Sequence, residues 1–232
     1  MQNRIAMIIH HPESRRNRIA DLLLARGYSI DWYCPREGDP LPQDPESLAA
    51  AVLLGGAMSA NDDQQHEYLR DEYRWIEQVL NARRPFLGIC LGAQMLARVV
   101  GGQVGPHPQG LTQVGYYPIT GSASGRVIFG EDFHVFHWHR EGISLPADIE
   151  VLATNETYPV QAFRLDDSVF GLQFHPEVTR DVFEHWIKEV PHCCEWPGAQ
   201  SPEQIRHGWH CHENAIELQT SQFVDVWLNR DQ

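Results

Sequence analysis

Phe86-Leu87-Gly88-Ile89-Cys90-Leu91-Gly92-Ala93-Gln94 joins an apolar strand to the start of a helix through Gly-x-Cys-x-Gly. A side chain perched on so tight a turn needs small neighbours two residues before and after it. The glycines supply them, and the pattern is the cysteine form of a nucleophile elbow. At a helix N-terminus, unpaired N–H groups and the helix dipole favour negative charge on the Cys90 sulfur. The plainer alternative is a buried core cysteine beside glycines that let helix and sheet approach closely.

Outward from this stretch, residues 85–89 read as a buried strand and 93–100 as the helix that follows it. Upstream, 5–9 reads as a strand, 14–26 as a helix ending at Gly27, 28–33 and 51–54 as strands, and 67–81 as a helix. Such alternation predicts parallel strands with crossover helices. After Gly101-Gly102 the texture changes to short strands at 113–120, 133–138, 160–165 and 169–174, separated by Gly, Pro, Asn and Asp, which predicts partly antiparallel pairing. The tract at 38–45 reads as a loop. Ser201-Pro202-Glu203-Gln204 then has the form of a helix cap, and Ile205, Trp209, His212, Ile216, Phe223 and Trp227 recur behind it at helical spacing to about Leu228. The expected fold is α/β: an open, mostly parallel twisted sheet flanked by helices, with a strand-rich second half and a C-terminal helix. Residues 1–190 are expected to form one domain, and 191–232 a linker and a helix packed on that same domain.

With 232 residues the chain suits one generous domain. Its 31 acidic and 18 basic residues give a net charge of −13, and no Lys/Arg-rich run concentrates positive potential, which argues against nucleic acid as a partner. The apolar run at 5–9 is broken by His10, His11 and Pro12, far short of the roughly 20 residues of a membrane span. A soluble, cytoplasmic protein with no membrane partner is expected. Five cysteines, an odd number in a chain of this size, do not form a disulfide framework and leave thiols for chemistry.

A cysteine nucleophile needs a base, and Val169-Phe170-Gly171-Leu172-Gln173-Phe174-His175-Pro176-Glu177 offers one at a strand's end. Proline between them lets Glu177 turn back to orient the His175 imidazole. Among thirteen histidines, one beside a glutamate is unremarkable by itself. The third motif, Leu53-Leu54-Gly55-Gly56-Ala57-Met58-Ser59, ends a strand in a Gly-Gly turn whose backbone N–H groups could stabilise an oxyanion together with that of Leu91. Alone it means only a turn; the three motifs at three strand ends point together to one site.

These three motifs together resemble class I, triad-type glutamine amidotransferases over about residues 5–190. The Phe136-His137-Trp138-His139 segment makes the chain most similar to stand-alone proteins akin to the amidotransferase module of GMP synthetase. The resemblance implies that Cys90 attacks the glutamine side-chain amide, His175 shuttles the proton, Glu177 orients His175, and the N–H groups of Gly56 and Leu91 form the oxyanion hole. It implies that Gln94 and the turn of Trp138, Arg140 and Glu141 hold the amino-acid end of the substrate. Two departures stand out: Ala57 replaces the usual proline, and Arg140-Glu141 replaces the Gly-Asp that usually follows His-Trp-His. Arg140 has two orientations open to it, into the pocket, where it would favour a substrate with an extra carboxylate, or out to solvent.

The expected reaction is hydrolysis of glutamine to glutamate and ammonia through a cysteine thioester, with no cofactor, the ammonia going to a separate synthetase or to none. The alternatives are a γ-glutamyl peptidase or hydrolase and, from another class, a non-catalytic regulatory binding protein of the same fold. No metal site is expected. Although His192, Cys193, Cys194, His207, His210, Cys211 and His212 crowd the tail, their spacing does not match zinc patterns.

Overall fold

The computed structural model describes residues 3–130 and 133–228; positions 1–2, 131–132 and 229–232 of the two expected segments lie outside the described residues. The first half runs β1 (Arg4–Ile8), α1 (Arg18–Ala25), β2 (Ser29–Tyr33), β3 (Ala50–Leu53), α2 (Glu67–Asn81), β4 (Phe86–Ile89) and α3 (Leu91–Val99). Strands dominate next: β5 (Gln103–Pro106), β6 (Gln113–Gly121), α4 (Ala123–Phe129), β7 (Phe133–His139), β8 (Glu141–Ser144), β9 (Glu150–Thr154), β10 (Ala162–Arg164) and β11 (Val169–Leu172). Two helices close the described chain, α5 (Arg180–Glu189) and α6 (Pro202–Trp227).

Among the described residues nine strands form the main sheet in the order β2-β1-β3-β4-β11-β10-β9-β6-β7, while β5 and β8 pair separately. Neighbours from β2 to β11 are parallel. From β11 outward the pairing is antiparallel. The expected open α/β sheet is therefore present, with a parallel body and an antiparallel flank. Strand alternation feeds two cores: Ile5, Met7 and Ile9 point to the side covered by α1, α4 and α6, whereas Ala6 and Ile8 point to the side of α2 and α3. A third cluster joins β6 and β7 to α5 and α6 through Tyr116, Phe136, Phe183 and Ile205.

The parallel body places the ends of β1, β3, β4 and β11 side by side, so His10, Gly55-Gly56, Cys90 and His175 all follow strand C-termini at one edge. That edge is where open α/β sheets present ligands. The capping box predicted at Ser201 and Gln204 is formed, and Trp227 Nε1–H donates to the Ser168 carbonyl at 3.1 Å, fastening α6 to the β10–β11 turn. One expected helix is shortened: Pro12–Arg15 forms a 3-10 turn, and α1 starts only at Arg18 because Asn17 caps it, accepting from the Ala20 N–H at 2.8 Å. No helix among the described residues is long and apolar enough to cross a membrane.

Candidate active site

Cys90 caps α3 with φ 51° and ψ −105°, a left-handed backbone that costs a non-glycine residue on the order of 1–3 kcal/mol. Packing enforces it. A Cβ at Gly92 would lie 2.0 Å from the Leu53 carbonyl oxygen, and one at Gly88 would lie 2.5 Å from that of Gly92. Neither place admits a side chain, so β3, β4 and α3 close together only around glycine. The Cys90 N–H donates to the Leu172 carbonyl at 2.8 Å, tying the elbow to β11, the strand that delivers the histidine.

His175 and Glu177 are 4% and 5% exposed, and His175 Nδ1–H donates to Glu177 Oε1 at 2.7 Å. His175 and Cys90 both abut Gly55, where a Cβ would lie 2.9 Å from His175 Cε1 and 3.4 Å from Cys90 Cβ. Burial works against charge on His175, but Glu177 and then Cys90 outweigh it and raise the pKa to about 10. The imidazole therefore favours its charged form, set between the Cys90 sulfur and the Glu177 carboxylate.

The turn that carries Glu177 is held from outside. Arg18 donates its backbone N–H to the Glu177 carbonyl at 2.9 Å, and its guanidinium donates to the Pro176 carbonyl and to Glu213 of α6. On the other side, Trp186 meets the His175 ring edge to face at 5.4 Å. His137 and His139 are buried close by, joined at 3.2 Å. Burial first, then neighbouring imidazoles, hold His137 well below the ordinary range; burial takes His139 down to about 3.

A cavity of about 480 Å³ opens on Cys90, His175 and Glu177 and runs past Trp138 to His185 and Trp186 on α5. Gly56 lines it too, and its backbone lies against Leu91, since a Cβ there would meet Leu91 Cδ2 at 2.8 Å. The fold thus gathers Cys90, His175, Glu177, Gly56, Leu91 and Trp138. Gln94 and Glu141 meet each other instead, Gln94 Nε2 donating to the Glu141 carbonyl at 3.2 Å and to Gln173 Oε1 at 3.3 Å, and neither lines the cavity. Arg140 takes the outward orientation: it is exposed, with its guanidinium 6.0 Å from the Trp196 ring centroid, where it keeps its hydration and gains an aromatic neighbour. In the tail Cys211 Sγ lies 3.4 Å from His207 Nε2, and among the described residues no three potential metal ligands converge.

Sequence reasoning missed two further groups. His10, at the end of β1, and Glu72, within α2, form a buried pair at 3.0 Å beside the Gly-Gly turn. The Arg18–Glu213 brace was the other. Both left a trace: His10 is a polar residue at a parallel strand's C-terminus, and Glu72 sits on the helix stripe of Leu69, Trp75, Ile76 and Val79.

Residues 10–189 match the family described as Glutamine amidotransferase class-I. The chain is 30% identical over 193 residues to the glutamine amidotransferase-like protein YfeJ of Salmonella typhimurium, the match covering 80% of each. It is 32% identical over 177 residues to the glutamine-hydrolysing GMP synthase of Aeropyrum pernix, covering 72% of this chain and 32% of that one. Among solved structures it is similar to a glutamine amidotransferase of Thermotoga maritima, with a TM-score of 0.88, 27% identity, and coverage of 98% and 99%.

Proposed function

Because the chain belongs to the class I glutamine amidotransferase family, we propose that it hydrolyses the side-chain amide of glutamine to glutamate and ammonia through a γ-glutamyl thioester on Cys90. The observation that carries this reading is the buried set Cys90, His175 and Glu177, with His175 held charged between sulfur and carboxylate. The Cys90 sulfur attacks the amide carbon, and the carbonyl electron pair moves to oxygen. That oxyanion accepts from the N–H groups of Gly56 and Leu91, a pair of donors whose loss typically costs 10²–10³ in rate per donor. As the oxyanion collapses, the C–N bond breaks and His175 gives its proton to the departing nitrogen, releasing ammonia. Water then attacks the thioester, His175 takes its proton, and glutamate leaves with Cys90 restored. Glu177 accepts from Nδ1 throughout and keeps Nε2 facing the reaction. Trp138 walls the cavity, and Gln94 acts on the glutamine backbone through its hold on the Glu141 carbonyl.

Ammonia made here passes to a separate synthetase subunit or to water. A second reading, hydrolysis of a larger γ-glutamyl compound by the same thioester, is favoured by the cavity, whose roughly 480 Å³ extends beyond the thiol along α5. Glutamate release from glutamine and from γ-glutamyl peptides, compared in wild type and Cys90→Ala, tests both. Cys90-dependent release from glutamine supports the first, a preference for peptides supports the second, and release that survives Cys90→Ala contradicts each.

A further inference from the structure

His10 and Glu72 belong to no step described above, yet they are 2% and 0% exposed and lie directly beside the Gly55-Gly56 turn. His10 Nδ1 is 3.0 Å from the Gly55 carbonyl oxygen, and His10 Nε2 is 3.0 Å from Glu72 Oε2. A carbonyl oxygen can only accept, so Nδ1 must carry a proton. Nε2 faces Glu72 Oε2, so the carboxyl group holds the far side of the ring while Nδ1 faces Gly55.

The direction of one peptide plane follows from this. In a trans peptide the C=O of Gly55 and the N–H of Gly56 point opposite ways. If His10 holds the Gly55 oxygen on its own side, the Gly56 N–H is turned away from that ring nitrogen, while Cys90 and His175 lie against the adjoining Gly55, where a Cβ would be 3.4 Å from Cys90 Cβ and 2.9 Å from His175 Cε1. A Gly-Gly turn left to itself would rotate easily about this peptide. We propose that His10, anchored by Glu72, is a positioning residue that locks the Gly55-Gly56 peptide with the Gly56 N–H aimed at the oxyanion formed on Cys90. The inference rests on the hydrolytic reading above and adds to it the device that preorganises one oxyanion donor.

Three observations support the lock. Glu72 Oε1 has no hydrogen-bond partner among the described residues, so the bond to His10 is what compensates the buried carboxylate. Buried ion pairs add little to stability compared with apolar packing, which makes a purely structural purpose a poor explanation for charge on an otherwise apolar stripe. A Cβ at Gly56 would lie 3.0 Å from His10 Cγ, so the imidazole packs closely beside the turn. Burial opposes charge on His10, but Glu72 and then the Gly55 carbonyl outweigh it and raise its pKa, with Arg36 opposing weakly.

The test separates the two ring nitrogens. His10→Gln places an amide donor where Nε2 stood and abandons Gly55, whereas His10→Asn places one where Nδ1 stood and retains that bond. Expected for His10→Gln is a fall in kcat of about 100-fold, the cost of one misdirected oxyanion donor, with KM for glutamine and the rate of Cys90 alkylation within about twofold of wild type. His10→Asn should recover at least about tenfold of that loss. Equal kcat in the two variants, or alkylation falling in step with kcat, would overturn the lock. A readout without turnover is the imidazole nitrogen NMR spectrum at pH 7: both His10 nitrogens protonated in wild type, and Nδ1 still protonated in Glu72→Gln. An unprotonated Nδ1 in wild type rejects the proposal even if glutamine is hydrolysed. If wild type hydrolyses neither glutamine nor γ-glutamyl peptides, the parent reading fails, while the NMR result still decides how the peptide is held.

Discussion

At His175 burial and charge pull in opposite directions, and the charged partners win. That balance orders the expected losses. In the proposed reaction, replacing His175 with Ala removes the group that moves the proton, whereas Glu177→Gln keeps a hydrogen-bond acceptor near Nδ1 and loses only charge and orientation. Turnover should fall more in His175→Ala than in Glu177→Gln, and the Cys90→Ala, His175→Ala double variant should be no slower than the worse single one, because members of one catalytic unit fail together. Steady-state kinetics on the four proteins check this; a double variant far slower than either single would dissolve the unit. The cysteines allow a second check, since accessibility and reactivity disagree. Cys211 is exposed and Cys90 is 5% exposed, while burial raises the thiol pKa values of Cys34, Cys193 and Cys194. Limiting iodoacetamide at pH 7 should label Cys90 first through the cavity. Peptide mapping that finds Cys211 ahead of it would favour plain exposure over an activated site.

The elements explain why some of this was legible and some was not. Gly-x-Cys-x-Gly could be read because steric exclusion acts over five consecutive residues, and the 2.0 Å approach of Leu53 to Gly92 is the contact behind it. Helix α2 and the cap of α6 were equally plain, one from a long periodic face broken only by Glu72 and the other from Ser-Pro-Glu-Gln. Strands β5, β8 and β9 and helices α4 and α5 were missed. The three strands have only four or five residues, and α4 only seven, too few for a period to emerge. Contacts such as Arg18 with Glu213 join residues nearly two hundred positions apart and leave no local signature. Yet this contact ties α6 to the turn that carries His175 and Glu177, since Arg18 also grips the Pro176 and Glu177 carbonyls. Glu213→Gln should cost about 3 kcal/mol, as expected for breaking a largely buried pair, and lower kcat without changing KM. Denaturant melts and kinetics on that variant measure both; stability lost with kcat intact would make α6 a brace for the fold alone.

Taken as a whole, the molecule gathers histidines of opposite character at the sheet's C-terminal edge, and its stability should depend on pH from both sides. His175 has a folded pKa raised to about 10, so its contribution is complete below the unfolded value near 6.5 and is lost as pH rises through about 10. His139 is depressed to about 3 and His137 is shifted the same way, so their contribution is present above about 6.5 and is lost as pH falls towards about 3. Denaturation midpoints across this range should fall on both limbs. His175→Gln should flatten the alkaline limb and His139→Gln the acid one; unchanged limbs would mean that these imidazoles titrate alike in the folded and unfolded chains. At this scale the parallel body and the strand-rich second half were visible in the sequence, because alternation of runs and helices survives local errors in boundaries. Arg140 shows the reverse: its position in a motif was plain, but its outward course over Trp196 depends on a tail segment far away in sequence.

The thioester is the point on which the functional reading turns. Wild-type protein mixed with glutamine, quenched in acid during turnover and digested, should yield the Cys90 peptide carrying one γ-glutamyl group by mass spectrometry. The adduct should be released by hydroxylamine and be absent from Cys90→Ala, which should form no glutamate. Glutamine hydrolysis that persists in Cys90→Ala, with no adduct on the Cys90 peptide of wild type, would contradict it.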